Sequence, residues 1–203
     1  MATRGVDSPP PPIIVNHLFP RLARELITLV RSIPPDHWTA PTCYPTWTVH
    51  DIATHLVQTA AWRLSVQRDG HRPLGAAAHG GDGARSDGRV QPADFEGLAN
   101  LIDAANTRWR ETLAGLSPRV VVELVASLEP ALAGYLSHLP RHGRAPVGVA
   151  WAGEDVSERW FDTARELTER WHHQQQIREA VGAPGIDRPA CRRADPRAAK
   201  PRK

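Results

Sequence analysis

The sequence is poor in the residues and segments that mark several common protein classes. It has two cysteines in 203 residues, Cys43 and Cys191, and their wide separation gives neither a disulfide framework nor a CxxC motif. No run of about 18 apolar residues is present, so no transmembrane helix is expected. The N-terminus lacks the long apolar segment of a secretory signal. These absences favour a chain that works in the reducing cytoplasm.

Lysine is also scarce, and its placement shows how the charge is distributed. Both lysines, Lys200 and Lys203, lie near the C-terminus, where residues 185–203 contain seven basic and two acidic side chains. The whole chain has a formal charge of +3, so the residues before this segment carry a small net negative charge. A body so close to neutrality argues against a nucleic-acid-binding surface across the domain.

Apolar residues recur at helical spacing in five segments, and no segment shows a convincing strand pattern. The predicted helices cover about residues 14–32, 48–64, 93–115, 118–138 and 157–181. Thr48 and Asp51 have the spacing of a capping box at the start of the second helix. Ser157 is the predicted cap of the last helix, and Pro130 predicts a kink or a break in the fourth. The sequence therefore predicts an all-α fold.

The remaining segments have the composition of loops and disordered ends. Residues 1–13 contain a proline run, which favours an extended, disordered leader. Residues 68–92 form a long glycine-rich loop that is either plain surface disorder or a flap over a site. Residues 186–203 have no apolar periodicity and a basic, proline-rich composition, so they are predicted to be a disordered tail. The folded domain is thus expected to span residues 14–185.

The segment TARELTERWHHQQQIREAVG, residues 163–182, carries the pattern that points to chemistry. Glu169 and His173 stand four residues apart, which places both side chains on one face of a helix, one turn apart. A carboxylate and an imidazole at that spacing can bind one divalent ion, and His55 in TWTVHDIATHL is the best candidate for a third ligand. Three protein ligands leave a position open, as in catalytic sites. Two imidazoles and a carboxylate suit Zn²⁺, and Fe²⁺ or Ni²⁺ are also compatible.

The helical pattern leaves alternatives open for this pair. One face of the last helix carries an apolar stripe formed by Trp160, Ala164, Leu167 and Trp171. The pair lies roughly opposite this stripe, on the same side as Ile177. Either the tryptophan stripe is the core and the pair is a solvated surface pair, or the helix is buried on two sides. His172, three residues after Glu169, is a competing ligand.

The segments that contain these residues resemble those of a known family. PTCYPTWTVHDIATHLV, residues 41–57, is similar to a segment of the mycothiol-dependent maleylpyruvate isomerase family. ARELTERWHHQQQIREAVG resembles the second segment of that family, in which a Glu and a His four residues apart complete a metal site. The intervening AWAGEDVSERWF also looks like members of the group. The likeness extends over about residues 14–185, and the order of the segments strengthens it.

The resemblance implies a DinB-like four-helix bundle with an additional helix and long loops, and it implies His55, Glu169 and His173 as metal ligands. It also implies mycothiol as a thiol cosubstrate and a small electrophilic substrate. A bound metal favours the thiolate form of such a thiol. Addition of the thiolate to a conjugated double bond then leads either to cis–trans isomerisation or to S-transfer. No residue is identified as a general acid or base, and Arg63 and Arg178 are candidates to hold a substrate carboxylate.

The chain departs from the family pattern in two places. Many relatives carry Asp where this chain has Gln176, which changes a neighbour of the implied metal ligands. Full-length relatives continue into further C-terminal structure, whereas this chain passes at about Pro189 into its basic tail, which favours a truncated form. We therefore expect either a mycothiol-using isomerase or S-transferase, or a non-catalytic metal-binding bundle with a binding or regulatory role. A nucleic-acid-associated protein that acts through the tail is a third interpretation.

Overall fold

A computed structural model describes residues 11–44, 46–71, 95–145 and 157–186, with the backbone alone for residues 95–103. Within these ranges the chain forms five α-helices and no strand, which confirms the predicted all-α class. The glycine-rich loop and almost all of the predicted leader and tail lie outside the described residues. The domain limits at residues 14 and 185 therefore stay predictions.

Five α-helices follow one another along the chain. They are α1 (Phe19–Ser32), α2 (Val49–Trp62), α3 (Phe95–Leu113), α4 (Pro118–His138) and α5 (Arg159–Ala180). Short 3-10 helices, Asn16–Leu18 and Pro35–Thr39, lie before and after α1, and α2 continues into a short π-helix, Arg63–Arg68. The first predicted helix thus begins as a 3-10 turn, and its α-helical part starts close to Pro20, which is tolerated in a first turn.

A predicted capping motif explains the start of α2 but not that of α5. The Thr48 hydroxyl accepts a hydrogen bond from the Asp51 backbone N–H, and the Asp51 carboxylate accepts one from the Thr48 backbone N–H, which confirms the capping box. The predicted Ser157 cap is wrong, because Glu158 occupies that position and its side chain makes no capping hydrogen bond. The helix α4 runs through Pro130 without a break.

The helices α1, α2, α4 and α5 pack around a shared core, and α3 packs against α2. Two clusters of buried apolar side chains fill this core. The first contains Leu26, Leu29, Val30, Ile52, Leu56, Val121, Val125 and Ile177. The second contains Phe19, Leu22, Ala60, Leu132, Leu136 and Leu167. Burying a side chain of this size stabilises the fold by about 1.5–3 kcal/mol, so the clusters hold α2 and α5, which carry the predicted ligands, in one bundle.

The helix α4 is long and rich in apolar residues. It is long and apolar enough to cross a membrane by length and composition alone, and 33% of its most apolar window is buried inside the protein. Five of its apolar residues belong to the two core clusters, and the carboxylate of Glu129 is buried with them. The absence of a membrane-spanning segment stays a prediction from the sequence.

Candidate metal centre

The packing of α2 against α5 brings the three predicted ligands together. One ligand atom from each of His55, Glu169 and His173 can be chosen so that all lie within 4.8 Å of one another. The Glu169 Oε1 atom lies 2.8 Å from His173 Nε2 and 3.6 Å from His55 Nε2. Residues separated by more than one hundred positions therefore meet at one point, as the sequence predicts.

The three side chains differ in their contact with solvent. The side chains of His55 and His173 are 10% and 14% exposed, whereas that of Glu169 is 51% exposed. Hydrogen bonds with His173 and with His55 lower the pKa of the Glu169 carboxyl well below its usual value, and they outweigh the effect of its partial burial. The group therefore consists of two inward-facing imidazoles and one ionised carboxylate at the edge of the bundle.

The second ring nitrogen of His173 has its own partner. Gln176 Oε1 lies 2.7 Å from His173 Nδ1. Because an amide oxygen is only an acceptor, Nδ1 carries the hydrogen of this bond, and the neutral ring then has a lone pair on Nε2. That lone pair faces Glu169 Oε1 at 2.8 Å, and two acceptors at this distance require a cation between them or a second proton on the ring. The donor set thus has the chemistry of a cation site.

The competing ligand His172 does not join the group. It is exposed, and its Nε2 atom lies 3.2 Å from Nε2 of the Gln176 amide, which donates to it. The described residues contain one group of three or more His, Cys, Asp or Glu side chains at metal-binding separation, and His172 is absent from it. The geometry favours His173 over His172 as the partner of Glu169.

The surroundings of His55 come from three parts of the chain. The Trp47 ring meets His55 edge to face at 5.3 Å between centroids, and the Arg110 guanidinium of α3 lies over the Trp47 ring at 5.4 Å. The Nε atom of Arg110 lies 3.3 Å from the Asp51 carboxylate in the capping box. His55 Nδ1 is buried and has no hydrogen-bond partner among the described residues. The capping box of α2 therefore links α3 to the wall of the candidate site.

Charged and polar pairs continue from this site along the contact between α2 and α5. Thr59, one turn after His55, accepts a hydrogen bond from Arg170 at 3.2 Å. Arg63, one turn further, makes two hydrogen bonds to Asp162 at 3.0 and 3.1 Å and pairs with Glu166 at 2.7 Å. Residues with higher numbers in α2 contact residues with lower numbers in α5, so the two helices are antiparallel. We call these contacts, from Thr59 to Arg63 and without the three candidate ligands, the polar seam.

The polar seam is buried and almost completely paired. Arg170 binds Glu129 of α4 and, at 2.7 Å, Glu166 of its own helix. Burial raises the pKa of the Glu129 carboxyl, and the attraction of Arg170 offsets only part of this effect. Burial alone would lower the pKa of Arg63, yet Glu166 and Asp162 hold it above its usual value. Each of these buried groups faces at least one partner of opposite sign, as buried charges require.

Sequence reasoning missed the polar seam and misjudged two arginines. Arg63 is engaged by two buried carboxylates, and Arg178 is engaged by the Pro184 carbonyl oxygen at 2.9 Å and the Glu25 carboxylate at 3.2 Å. The suggestion that they hold a substrate carboxylate is wrong, because both are occupied inside the fold. Leu167 and Ile177 of α5 are both buried, whereas Trp160 and Trp171 are only partly buried. The buried face of this helix therefore lies between the tryptophan stripe and the Glu169–His173 pair, so neither alternative describes it fully.

Side chains of α2 and α3 pack closely beside His55. They are Thr54, His55, Gln58, Asn106, Trp109, Arg110 and Leu113, and no space large enough for a water molecule remains between them. The Oε1 atom of Gln58 is buried there without a hydrogen-bond partner among the described residues. The contact between α2 and α3 therefore forms a wall beside His55.

Comparison with known proteins agrees with these features. The family described as the mycothiol maleylpyruvate isomerase N-terminal domain matches residues 19–178. Two curated proteins of Mycobacterium tuberculosis, from strains CDC 1551 / Oshkosh and ATCC 25618 / H37Rv, are each 31% identical over 171 residues, and both are described as uncharacterized. The match covers 83% of this chain and 56% of each relative, so the chain spans about half the length of these relatives. No solved structure gives a significant match.

Proposed function

The chain belongs to the family of the mycothiol maleylpyruvate isomerase N-terminal domain, and from this we propose that it is the metal-binding domain of a mycothiol-using enzyme. The reaction is either the cis–trans isomerisation of a small electrophilic substrate or the transfer of the thiol sulfur onto it. Use of a low-molecular-weight thiol requires a reducing compartment, so we place the protein in the cytoplasm.

The observation that carries this proposal is the convergence of His55, Glu169 and His173. Two neutral imidazole nitrogens and one carboxylate oxygen within 4.8 Å of one another are a donor set that suits Zn²⁺ better than the all-oxygen sites of Mg²⁺ or Ca²⁺. Such an ion supplies the positive charge that favours the thiolate form of a bound thiol. The charge of Glu169 offsets part of the charge of the ion, and its exposed side leaves room for an incoming thiol.

The other groups near the site are suited to holding a substrate rather than to transferring protons. Asn106 and Gln58, which pack beside His55, carry amide donors and acceptors, and Arg110, which pairs with Asp51, carries a positive charge that attracts an anionic substrate. Addition of the thiolate to a conjugated double bond turns it into a single bond, which can rotate before the thiol leaves.

A second candidate function is a metal-binding bundle without catalysis, in a binding or regulatory role. The observation that favours it is the polar seam. It occupies Arg63 and Arg170 and the acidic groups around them, so these charged side chains next to the three ligands have no capacity left for a substrate. A thiol-dependent activity assay separates this candidate from the enzyme.

The first experiment measures the metal content of the purified protein by elemental analysis. We expect close to one equivalent of zinc, or of iron or nickel, in the parent protein and its loss in His173→Ala. His138→Ala, in which an exposed histidine of α4 is removed, is the matched control and should keep the metal. A folded parent protein that stays free of metal after reconstitution with zinc contradicts the proposal.

The second experiment tests the reaction itself. The metal-loaded protein is incubated with mycothiol and an α,β-unsaturated cis-dicarboxylate, and the products are separated by chromatography. Conversion to the trans isomer supports an isomerase, and a stable thiol adduct supports a transferase. A metal-loaded protein that produces neither with a panel of such electrophiles supports the non-catalytic bundle.

A further inference from the structure

Three consecutive glutamines in α5 have three different partners. Gln174 donates to the Leu22 carbonyl oxygen of α1 at 3.0 Å, and Gln175 donates to the Ile186 carbonyl oxygen at 2.8 Å. Both of these contacts tie parts of the backbone together. Gln176 contacts no backbone in this way, and its amide lies between the rings of His172 and His173. Its contacts therefore concern side chains of the candidate site.

The two ends of the Gln176 amide are not interchangeable in this position. An amide nitrogen donates and an amide oxygen accepts, so the orientation of the group decides which hydrogen each histidine must carry. His172 Nε2 accepts from the amide nitrogen at 3.2 Å, which turns the amide oxygen towards His173 Nδ1 at 2.7 Å. The orientation found here leaves the Nε2 lone pair of His173 directed at Glu169.

We propose that Gln176 is a positioning residue that holds His173 with Nδ1–H donated and Nε2 directed at the cation site, and that His172 orients its amide. This role rests on the proposed function in one respect, because the contact with Gln176 raises metal affinity only if His173 binds a metal. A ligating histidine whose second nitrogen is held by a hydrogen bond has a defined ring orientation and a more basic ligating nitrogen.

The effect should be large because the contact is buried and has no substitute. Gln176 is 9% exposed, so water competes little for its amide. His55, by contrast, has no hydrogen-bond partner for Nδ1 among the described residues. Of the two histidines, only His173 thus has its Nδ1 atom held by a side chain among the described residues.

The decisive measurement is zinc affinity, obtained by competition with a chromophoric chelator. Gln176→Leu removes the acceptor with little change of volume, and we expect a 10–100-fold loss of zinc affinity. Gln176→Glu keeps an acceptor for His173 Nδ1–H and should bind zinc at least as tightly as the parent protein does. Gln175→Leu, which removes the neighbouring amide and its bonds to Ile186, is the matched control and should change the affinity less than threefold.

His172→Ala tests the role of the second histidine. Without the acceptor at His172, the amide can turn and offer its nitrogen to His173, so we expect a smaller but measurable loss of zinc affinity. The inference is overturned if Gln176→Leu binds zinc as tightly as the parent, if Gln175→Leu loses as much, or if Gln176→Glu fails to restore binding.

A second readout separates this inference from the proposed function. Without metal, the ring of His173 donates Nδ1–H to Gln176 in the proposed arrangement, and this hydrogen should exchange slowly with water in nitrogen-resolved NMR spectra. The slow resonance should vanish in Gln176→Leu and remain in Gln175→Leu. If the parent protein binds no zinc, the proposed function fails, while this resonance still decides whether Gln176 holds the ring.

Discussion

Arg170 donates a hydrogen bond to Thr59 Oγ1 at 3.2 Å across the contact between α5 and α2. On α2, Thr59 follows His55 by one helical turn, and on α5, Arg170 comes directly after Glu169. The pair therefore sits next to the candidate metal centre and shares both of its helices. The same buried contacts that set the alignment of α5 against α2 also set the separation of the three ligands.

Replacing Arg170 by Met should destabilise the protein strongly. The change leaves the carboxylates of Glu129 and Glu166 buried without one of their partners, and breaking a buried ion pair from one side costs about 3–5 kcal/mol. Urea unfolding followed by circular dichroism measures the loss. Arg119→Met is the control, because its pair with Glu123 is exposed and exposed pairs contribute at most about 1 kcal/mol. Equal stability of the two variants would show that the polar seam does not hold the bundle.

Zinc should stabilise the folded protein only while Glu169 is present. An ion that binds the native state at 100 times its dissociation constant adds about 2.7 kcal/mol to the free energy of unfolding. Glu169→Gln should lose most of this increment, and it should lower the stability of the metal-free protein only slightly, because its bonds to the two histidines are half-exposed. Thermal unfolding with zinc and with a chelator measures both quantities. Glu123→Gln should respond to zinc like the parent, and the same response in Glu169→Gln would exclude the carboxylate as a ligand.

The capping box at Asp51 should make stability depend on acid pH. Burial alone would raise the pKa of Asp51, but hydrogen bonds from Thr48 and the charge of Arg110 lower it below 3.8. Its contribution is therefore complete above the unfolded-state pKa of about 3.9 and is lost as the pH falls through the lower folded-state value. Asp51→Asn should cost about 1 kcal/mol at pH 7, and the difference from the parent should shrink below about pH 4.

Urea unfolding at a series of pH values checks this dependence. Asp36→Asn, at an exposed carboxylate in the 3-10 helix after α1, provides the comparison and should follow the parent curve. A difference between Asp51→Asn and the parent that stays constant down to pH 2 would mean that the carboxylate charge plays no part in the cap.

Two glycines should respond to alanine in opposite directions. Gly182 ends α5 with a φ of +66°, a conformation that costs an alanine roughly 1–2 kcal/mol. Gly134 lies inside α4, and a Cβ built there meets no atom within 4 Å, so Gly134→Ala should stabilise the helix by about 0.5–1 kcal/mol. The unfolding midpoints of the two variants are compared with that of the parent protein. We expect a lower midpoint for Gly182→Ala and a higher one for Gly134→Ala. A stabilised Gly182→Ala would contradict the helix end described here.

The sequence predicts the helices well because their signals are local. Apolar residues at helical spacing and the Thr48–Asp51 box each depend on neighbours a few residues away, and the structure bears them out. The meeting of His55 with Glu169 and His173 was predicted from a family resemblance. Spacing alone relates the two residues of α5 to each other but says nothing about α2.

The polar seam could not be predicted in this way. Arg170 and Glu166 stand four residues apart, and on most helices such a pair lies in solvent, yet here both are buried. The other partner of Arg170, Glu129, lies on α4, 41 residues before it, and no periodicity links such distant positions. The expectation that Arg63 holds a substrate carboxylate fails for the same reason. The sequence does not show the two carboxylates that already bind this arginine.

The uneven exposure of the three candidate ligands bears on how the site would be filled. The histidines are mostly enclosed, but half of the Glu169 side chain meets solvent. An ion bound there would enter and leave past the carboxylate without any unfolding of the bundle, so chelators and competing metals would reach it directly. Its identity in a preparation would then follow the metals supplied during growth and purification, and the protein should be isolated without chelating agents before its native metal is assigned.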